Sequence, residues 1–212
     1  MMSEEQVVYL VDDDAAVLKS LGRLLQAEGL AVRSFQSAAE FLREHDAQAP
    51  GCVVLDMRLP DLDGLALQQA LLAAGCERPI IFMTGFGDVS ESVQAMKAGA
   101  VDFLTKPCDD DDLLDAVHGA IAKDVQARCV RTQLQRIRGR LESLTPREHE
   151  VLQHVVDGRL NKQIAADLGI AEKTIKVHRA RAMEKMGASS LADLVRKTFE
   201  LEAGTVVAGH GQ

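Results

Sequence analysis

Five times in its first half the chain pairs a short apolar run with an amphipathic segment, and no other feature limits the fold as much. VVYLV (7–11), AVRSF (31–35), CVVLD (52–56), PIIFM (79–83) and AVDFL (100–104) are short and rich in Val, Ile and Phe, which predicts strands. Residues 15–28, 37–45, 65–74 and 89–98 carry helical spacing, and a fifth helix begins near Asp109. Ser37-x-x-Glu40 and Asp88-x-x-Glu91 have capping-box spacing, in which the first side chain satisfies open amides and the Glu reaches back. Parallel strands need crossover connections, so five βα units in series imply an α/β domain with a doubly wound parallel sheet, covered by helices on both faces. Continuous apolarity places runs one, three and four centrally; alternating AVRSF fits an edge.

The second half changes character. Strand-like runs give way to short helices at 146–157, 161–168, 172–186 and 190–201, with Thr145-Pro146-Arg147-Glu148 as a helix start. Charge is segregated along the chain. Residues 1–121 hold 8 Lys+Arg against 21 Asp+Glu, residues 122–142 hold 6 against 2, and residues 143–212 hold 10 against 9. The expected organisation is an acidic domain (1–121), a basic helical linker (122–142), an all-α domain (143–202) able to approach polyanions, and a mobile, patternless tail (203–212). In the linker, Val130, Leu134, Ile137, Leu141 and Leu144 form a short heptad stripe. A helix packed on its own domains and a dimeric coiled coil both fit it, and Gly139 weakens a long rigid helix. The opening MMSEEQVVYLV is too short and acidic for a signal sequence, and no apolar run nears the roughly 20 residues of a membrane span, so a soluble cytoplasmic protein is expected. Cys52, Cys76, Cys108 and Cys129 form no CxxC pair and suit reduced thiols.

In an open parallel sheet, ligands gather beyond the carboxyl ends of the strands. Asp12-Asp13-Asp14, Asp56, Thr84 and Thr105-Lys106-Pro107 all stand at such ends. Crowded carboxylates repel unless a cation lies among them, and oxygen-only ligands favour Mg²⁺. Asp56 is thus expected as a phosphoryl acceptor, with Thr84 donating to the phosphoryl oxygens and Lys106 pairing with them.

Over residues 6 to about 121 the sequence resembles the receiver domain of bacterial two-component response regulators: Asp12-Asp13, LDMRLPDLDG around Asp56, Thr84 in MTG and Lys106-Pro107 in FLTKP occur in that order. The resemblance implies a (βα)5 flavodoxin-like fold, phosphotransfer from a sensor histidine kinase to Asp56, and Mg²⁺ held by Asp13, Asp56 and the Arg58 backbone carbonyl. Either Asp12 or Asp14 assists Asp13, and proximity to the strand end favours Asp12. A cis Lys106-Pro107 bond is also implied, and the switch aromatic falls on Phe103, which lacks a hydroxyl. Phosphatases of the haloacid dehalogenase type place a second Asp two residues after the nucleophile; Arg58 stands there, so a phosphohydrolase is disfavoured and at most slow self-dephosphorylation is expected.

NKQIAADLGIAEKTIKVHRARAMEKM (161–186) reads as helix, turn, helix: Ala165 permits a close crossing, Gly169 makes the turn, Ile175 anchors the second helix, and Ile164, Leu168 and Ile170 fill the core. Ile175, Met183 and Met186 are expected to face inward, with Lys173, Lys176, Val177, Ala180 and Glu184 outward. Residues 143–201 resemble the LuxR-type DNA-binding domain of the FixJ/NarL class, from LTPREHEVL to the closing helix, which adds a four-helix helix-turn-helix domain to the fold. This implies that 172–186 enters the major groove of promoter DNA: Lys176 and Val177 reach base edges, Lys162, Thr174 and Arg179 hold phosphates, and Lys173 and Arg181 flank them. Where some relatives have a lysine, Ala180 offers a methyl suited to thymine. A phosphorylation-controlled transcription factor that dimerises on activation is expected, with RNA polymerase as a further partner. The alternative is a phosphorylation-independent DNA-binding regulator that uses its receiver for docking.

Overall fold

The computed structural model describes residues 6–85 and 89–208, in two compact units that divide between Arg128 and Cys129. The first unit alternates β1 (Val7–Val11), α1 (Ala15–Ala27), β2 (Ala31–Phe35), α2 (Ala38–Glu44), β3 (Gly51–Asp56), α3 (Gly64–Ala73), β4 (Ile80–Thr84), α4 (Val89–Lys97) and β5 (Asp102–Thr105). It also takes in the first part of α5 (Asp110–Glu142). All strand pairs are parallel, in the order β2-β1-β3-β4-β5, so AVRSF is an edge strand and the three apolar runs lie inside.

Alternation along each strand separates two cores. Tyr9, Val11, Val53, Leu55 and Phe82 pack under α2 and α3 with Phe41, Leu67 and Leu71, whereas Val8, Leu10, Val54, Ile81 and Met83 pack under α1 and α5 with Leu18, Leu25, Leu113 and Val117. Each such side chain, withdrawn from water, contributes about 1.5–3 kcal/mol. The register brings the carboxyl ends level: Val11 stands opposite Leu55, Asp56 opposite Met83, and Thr84 opposite Thr105. Residues just beyond these pairs therefore emerge on one rim.

Two expectations shift. The fifth strand starts at Asp102 rather than at residue 100, because Gly99 N and Ala100 N donate to Met96 O and Ala95 O and so close the end of α4. Ser37 caps α2 by accepting from Glu40 N, but Glu40 reaches past it to Gln36 N, one residue early for a full capping box. The second box expected near α4 begins at Asp88, outside the described residues.

The second unit comprises the end of α5, then α6 (Pro146–Val156), α7 (Asn161–Leu168), α8 (Glu172–Met186) and α9 (Leu191–Ala208). The Thr145–Glu148 box at the start of α6 is complete in both directions. Val151, Leu152, Val155, Ile164, Ile175, Ala182, Met186 and Leu194 form its core. Ile137 is buried in that core, and Leu141 and Leu144 pack against it, while Val130 is exposed. The later part of the heptad stripe thus packs within its own unit. Gly139 lies inside α5 without interrupting it, and α9 continues to Ala208, into the stretch expected as a mobile tail.

Candidate functional site

At the rim, Lys106 Nζ donates to Asp12 Oδ2 at 2.5 Å and to Asp56 Oδ2 at 3.0 Å. Asp12 is buried, Asp56 half-buried and Asp13 exposed, and ligand atoms of these three carboxylates lie within 4.8 Å of one another. Burial alone would lower the Lys106 pKa, but hydrogen bonds and charge from Asp12 and Asp56 outweigh it and leave the amine above its usual range. Thr84 is buried at the end of β4 and its carbonyl accepts from Lys106 N at 2.6 Å. Phe103, half-buried on β5, packs against the core beneath α2 and α3. The Lys106-Pro107 bond is cis.

Local hydrogen bonding sets Asp12 and Asp14 apart. Asp14 caps α1, accepting from Ala16 N at 2.7 Å, and its own amide donates to Asp12 Oδ1 at 2.9 Å. Arg58 N donates to Asp56 Oδ1 at 3.3 Å, which helps orient that carboxylate. The PDLDG turn contributes two helix caps. Asp63 caps α3, and Asp61 caps α2 across the turn, accepting from Ala38 N and Ala39 N at 3.2 and 2.9 Å. These amide bonds hold the Asp61 carboxyl below its ordinary pKa. A Cβ at Gly64 would lie 2.9 Å from the Asp56 carbonyl oxygen and 3.0 Å from the Phe82 ring, so only glycine lets α3 start this close to the rim. An Asp-Gly pair is a turn signal in any sequence; the tightness behind this one is a property of the fold.

In the second unit, Gly169 ends α7 in the left-handed conformation expected of the turn, and Ile175 is fully buried. Met186 is also buried, Met183 half-buried, and Ala182, not expected to face inward, joins the core. Lys162, Lys173, Thr174, Lys176, Val177, Ala180 and Arg181 are exposed together with Glu184. Lys176 pairs with Glu172 at 3.2 Å, one turn earlier on the surface. Arg179 is half-buried and donates to Asn161 Oδ1 at 3.0 Å, fastening α8 to the start of α7. Other cations are likewise engaged with protein oxygens. Arg147 donates to Leu168 O at 3.0 Å, Arg159 pairs with Asp167, and Lys185 pairs with Glu148 at 2.7 Å. Among the described residues, no helix is long and apolar enough to cross a membrane.

Comparison with known proteins places both units. Residues 8–118 match the response regulator receiver domain, and residues 142–198 match the bacterial regulatory proteins of the luxR family. Response regulator protein TmoT of Ectopseudomonas mendocina is 45% identical over 202 residues, spanning 95% of this chain and 92% of TmoT. A low-resolution structure of the response regulator StyR matches with a TM-score of 0.86 at 42% identity, over 92% of this chain and 99% of that one. Full-length FixJ from B. japonicum matches with a TM-score of 0.58 at 41% identity, over 95% and 99%. The chain therefore belongs to the two-component response regulators of the FixJ/NarL class, transcription regulators in which a flavodoxin-like receiver precedes a LuxR-type DNA-binding domain.

Proposed function

We propose that Asp56 accepts a phosphoryl group from the phosphohistidine of a sensor histidine kinase, and that this controls binding to promoter DNA. The observation that carries this reading is the position of Lys106 Nζ, 2.5 Å from Asp12 and 3.0 Å from Asp56, beside a third carboxylate. A carboxylate oxygen of Asp56 forms the new O–P bond while the N–P bond of the donor breaks, its electron pair remaining on the imidazole nitrogen. Lys106 then pairs with the added oxygens. An all-oxygen set suits a hard divalent cation: Asp12, Asp13, Asp56 and the Arg58 carbonyl would hold Mg²⁺, which offsets charge on the transferring group. Arg58 stands two residues after Asp56, where phosphatases of the haloacid dehalogenase type carry their acid/base Asp, which supports slow self-dephosphorylation at most.

Thr84 and Phe103, both beside the rim, bias the receiver between two arrangements, and the active one pairs two subunits so that two α8 helices meet two half-sites. The histidine kinase, promoter DNA and RNA polymerase are its partners, in the cytoplasm.

Acetyl phosphate with Mg²⁺ should label wild-type protein stoichiometrically and leave Asp56→Ala unlabelled; equal labelling of both ends the assignment. Sizing and gel-shift assays of labelled protein should show a dimer with raised DNA affinity. Identical mass and affinity in both states would leave the receiver as a docking module.

A further inference from the structure

We propose that Arg140 is a positioning residue for DNA recognition, holding the far end of α8 so that its base-facing side chains stay in register. The C-terminus of any helix leaves carbonyls without intrahelical donors. At the end of α8, Gly187 N and Ala188 N turn back to Glu184 O and Met183 O, both at 2.9 Å. The Met186 and Gly187 carbonyls find cations instead: Arg140 Nη1 donates to Met186 O at 3.1 Å, and Lys197 Nζ donates to Gly187 O at 2.5 Å. The guanidinium lies directly on this turn, since a Cβ at Gly187 would come within 2.5 Å of Arg140 Nη1. Lys185 extends the clasp by donating to Ser143 O at 3.1 Å and to Glu148. Positive charge at this end also suits the helix dipole.

At the opposite end of α8, Ile175 is buried in the core and Arg179 reaches Asn161, but the first turn has no side-chain cap and residues 171–174 are exposed. Lys176 and Val177 lie about ten residues from Met186, or about 15 Å along the helix. A tilt of about 5° at the anchored end would move them by about 1 Å, enough to take a base-edge hydrogen bond out of range. Arg140 acts through Met186 and touches no nucleotide in this scheme. The inference rests on the reading of α8 as the groove-entering helix.

The test compares Arg140→Met, which keeps the aliphatic stem, with Arg140→Lys, which keeps one charged donor. Each is made in the full chain and measured with a duplex selected by the wild-type protein and with a scrambled duplex, across a salt series. Arg140→Met should lose about tenfold in affinity for the selected duplex, the worth of a charge-assisted hydrogen bond, and less than about twofold for the scrambled one. Its salt slope should be unchanged, and Arg140→Lys should recover part of the loss. Equal loss on both duplexes, or unchanged affinity for the selected one, overturns the proposal. So does a slope reduced by about one, which would mean that Arg140 meets a phosphate itself. Lys176→Ala serves as a separate control: if it leaves sequence preference intact, the reading of α8 fails and the proposal falls with it.

Discussion

Two lysines show how differently the two units handle charge. Lys106 is only 22% exposed at its side chain and bridges carboxylates 94 and 50 positions away in sequence. Lys176 is 63% exposed, and its ion-pair partner is Glu172, four residues back on the same helix. The first charge is fixed by topology and already compensated, so whatever arrives at the rim must rearrange existing pairs. The second is placed by helical periodicity and stays available to a polyanion. A site that responds to a chemical event needs the former; a surface that tracks a regular duplex needs the latter.

The contrast is broken most sharply by removing each amine in turn. Lys106→Met leaves buried Asp12 facing Asp56 without a cation, and losing one partner of such a pair should cost about 1–3 kcal/mol after allowance for residual solvent. Millimolar Mg²⁺ should restore part of this, because a divalent ion can take over the compensation. Lys176→Met should change stability by less than about 0.5 kcal/mol, as surface substitutions do. Urea unfolding of both variants, with and without Mg²⁺, measures this. An unchanged midpoint for Lys106→Met would show that the rim carboxylates do not need the amine.

A smaller effect separates the units by pH. Glu148 is held at about 2, from an ordinary 4.5, chiefly by its hydrogen bond from Lys185 and then by the Thr145 amide. Its folded pKa is depressed, so its contribution is complete above about pH 4.5 and disappears as pH falls toward about 2. Asp193 works in the same direction, held low first by Lys197 and then by Ser189 N and Arg196. The folded pKa of Lys106 is raised instead, so its contribution is complete below 10.5 and disappears as pH climbs through the higher folded value. Acid should therefore weaken the DNA-binding unit through Glu148 and Asp193 and, to a lesser extent, the receiver through Asp61, whereas strong alkali weakens the receiver through Lys106. Tyr9, the chain's single tyrosine, lies in the receiver core and reports on that unit alone, while helical circular dichroism reports on both. Glu148→Gln should flatten the acid limb of the circular dichroism profile and leave the Tyr9 signal unchanged.

Much of this was legible because the two halves carry different periods. Period-two apolar runs and the rule that ligands gather at strand ends led to Asp56, Thr84 and Lys106, although these residues are remote in sequence. Period 3.6 identified the exposed face of α8. What sequence hid was decided by partners on other elements. Nothing near Arg179 shows that Asn161, eighteen residues away, takes one of its donors. Arg140 is one of several linker arginines until α8 is folded against it. Asp14 and Asp12 became distinguishable only once α1 claimed Asp14 as its cap.

The smallest predicted difference lies within the basic face itself. Lys162 and Lys173 are exposed cations, whereas Arg179 is tied to Asn161. If Lys162 and Lys173 meet phosphates, alanine at either position should weaken binding about equally on every duplex and reduce the slope of log K against log salt by about one. Arg179→Ala should leave that slope nearly unchanged and lower the thermal midpoint of the C-terminal unit by a few degrees, because a side-chain bond between α7 and α8 is lost and no phosphate contact is. A slope reduced by one for Arg179→Ala, with stability intact, would mean that Arg179 leaves Asn161 when DNA arrives and that the exposed face is wider than the free protein shows.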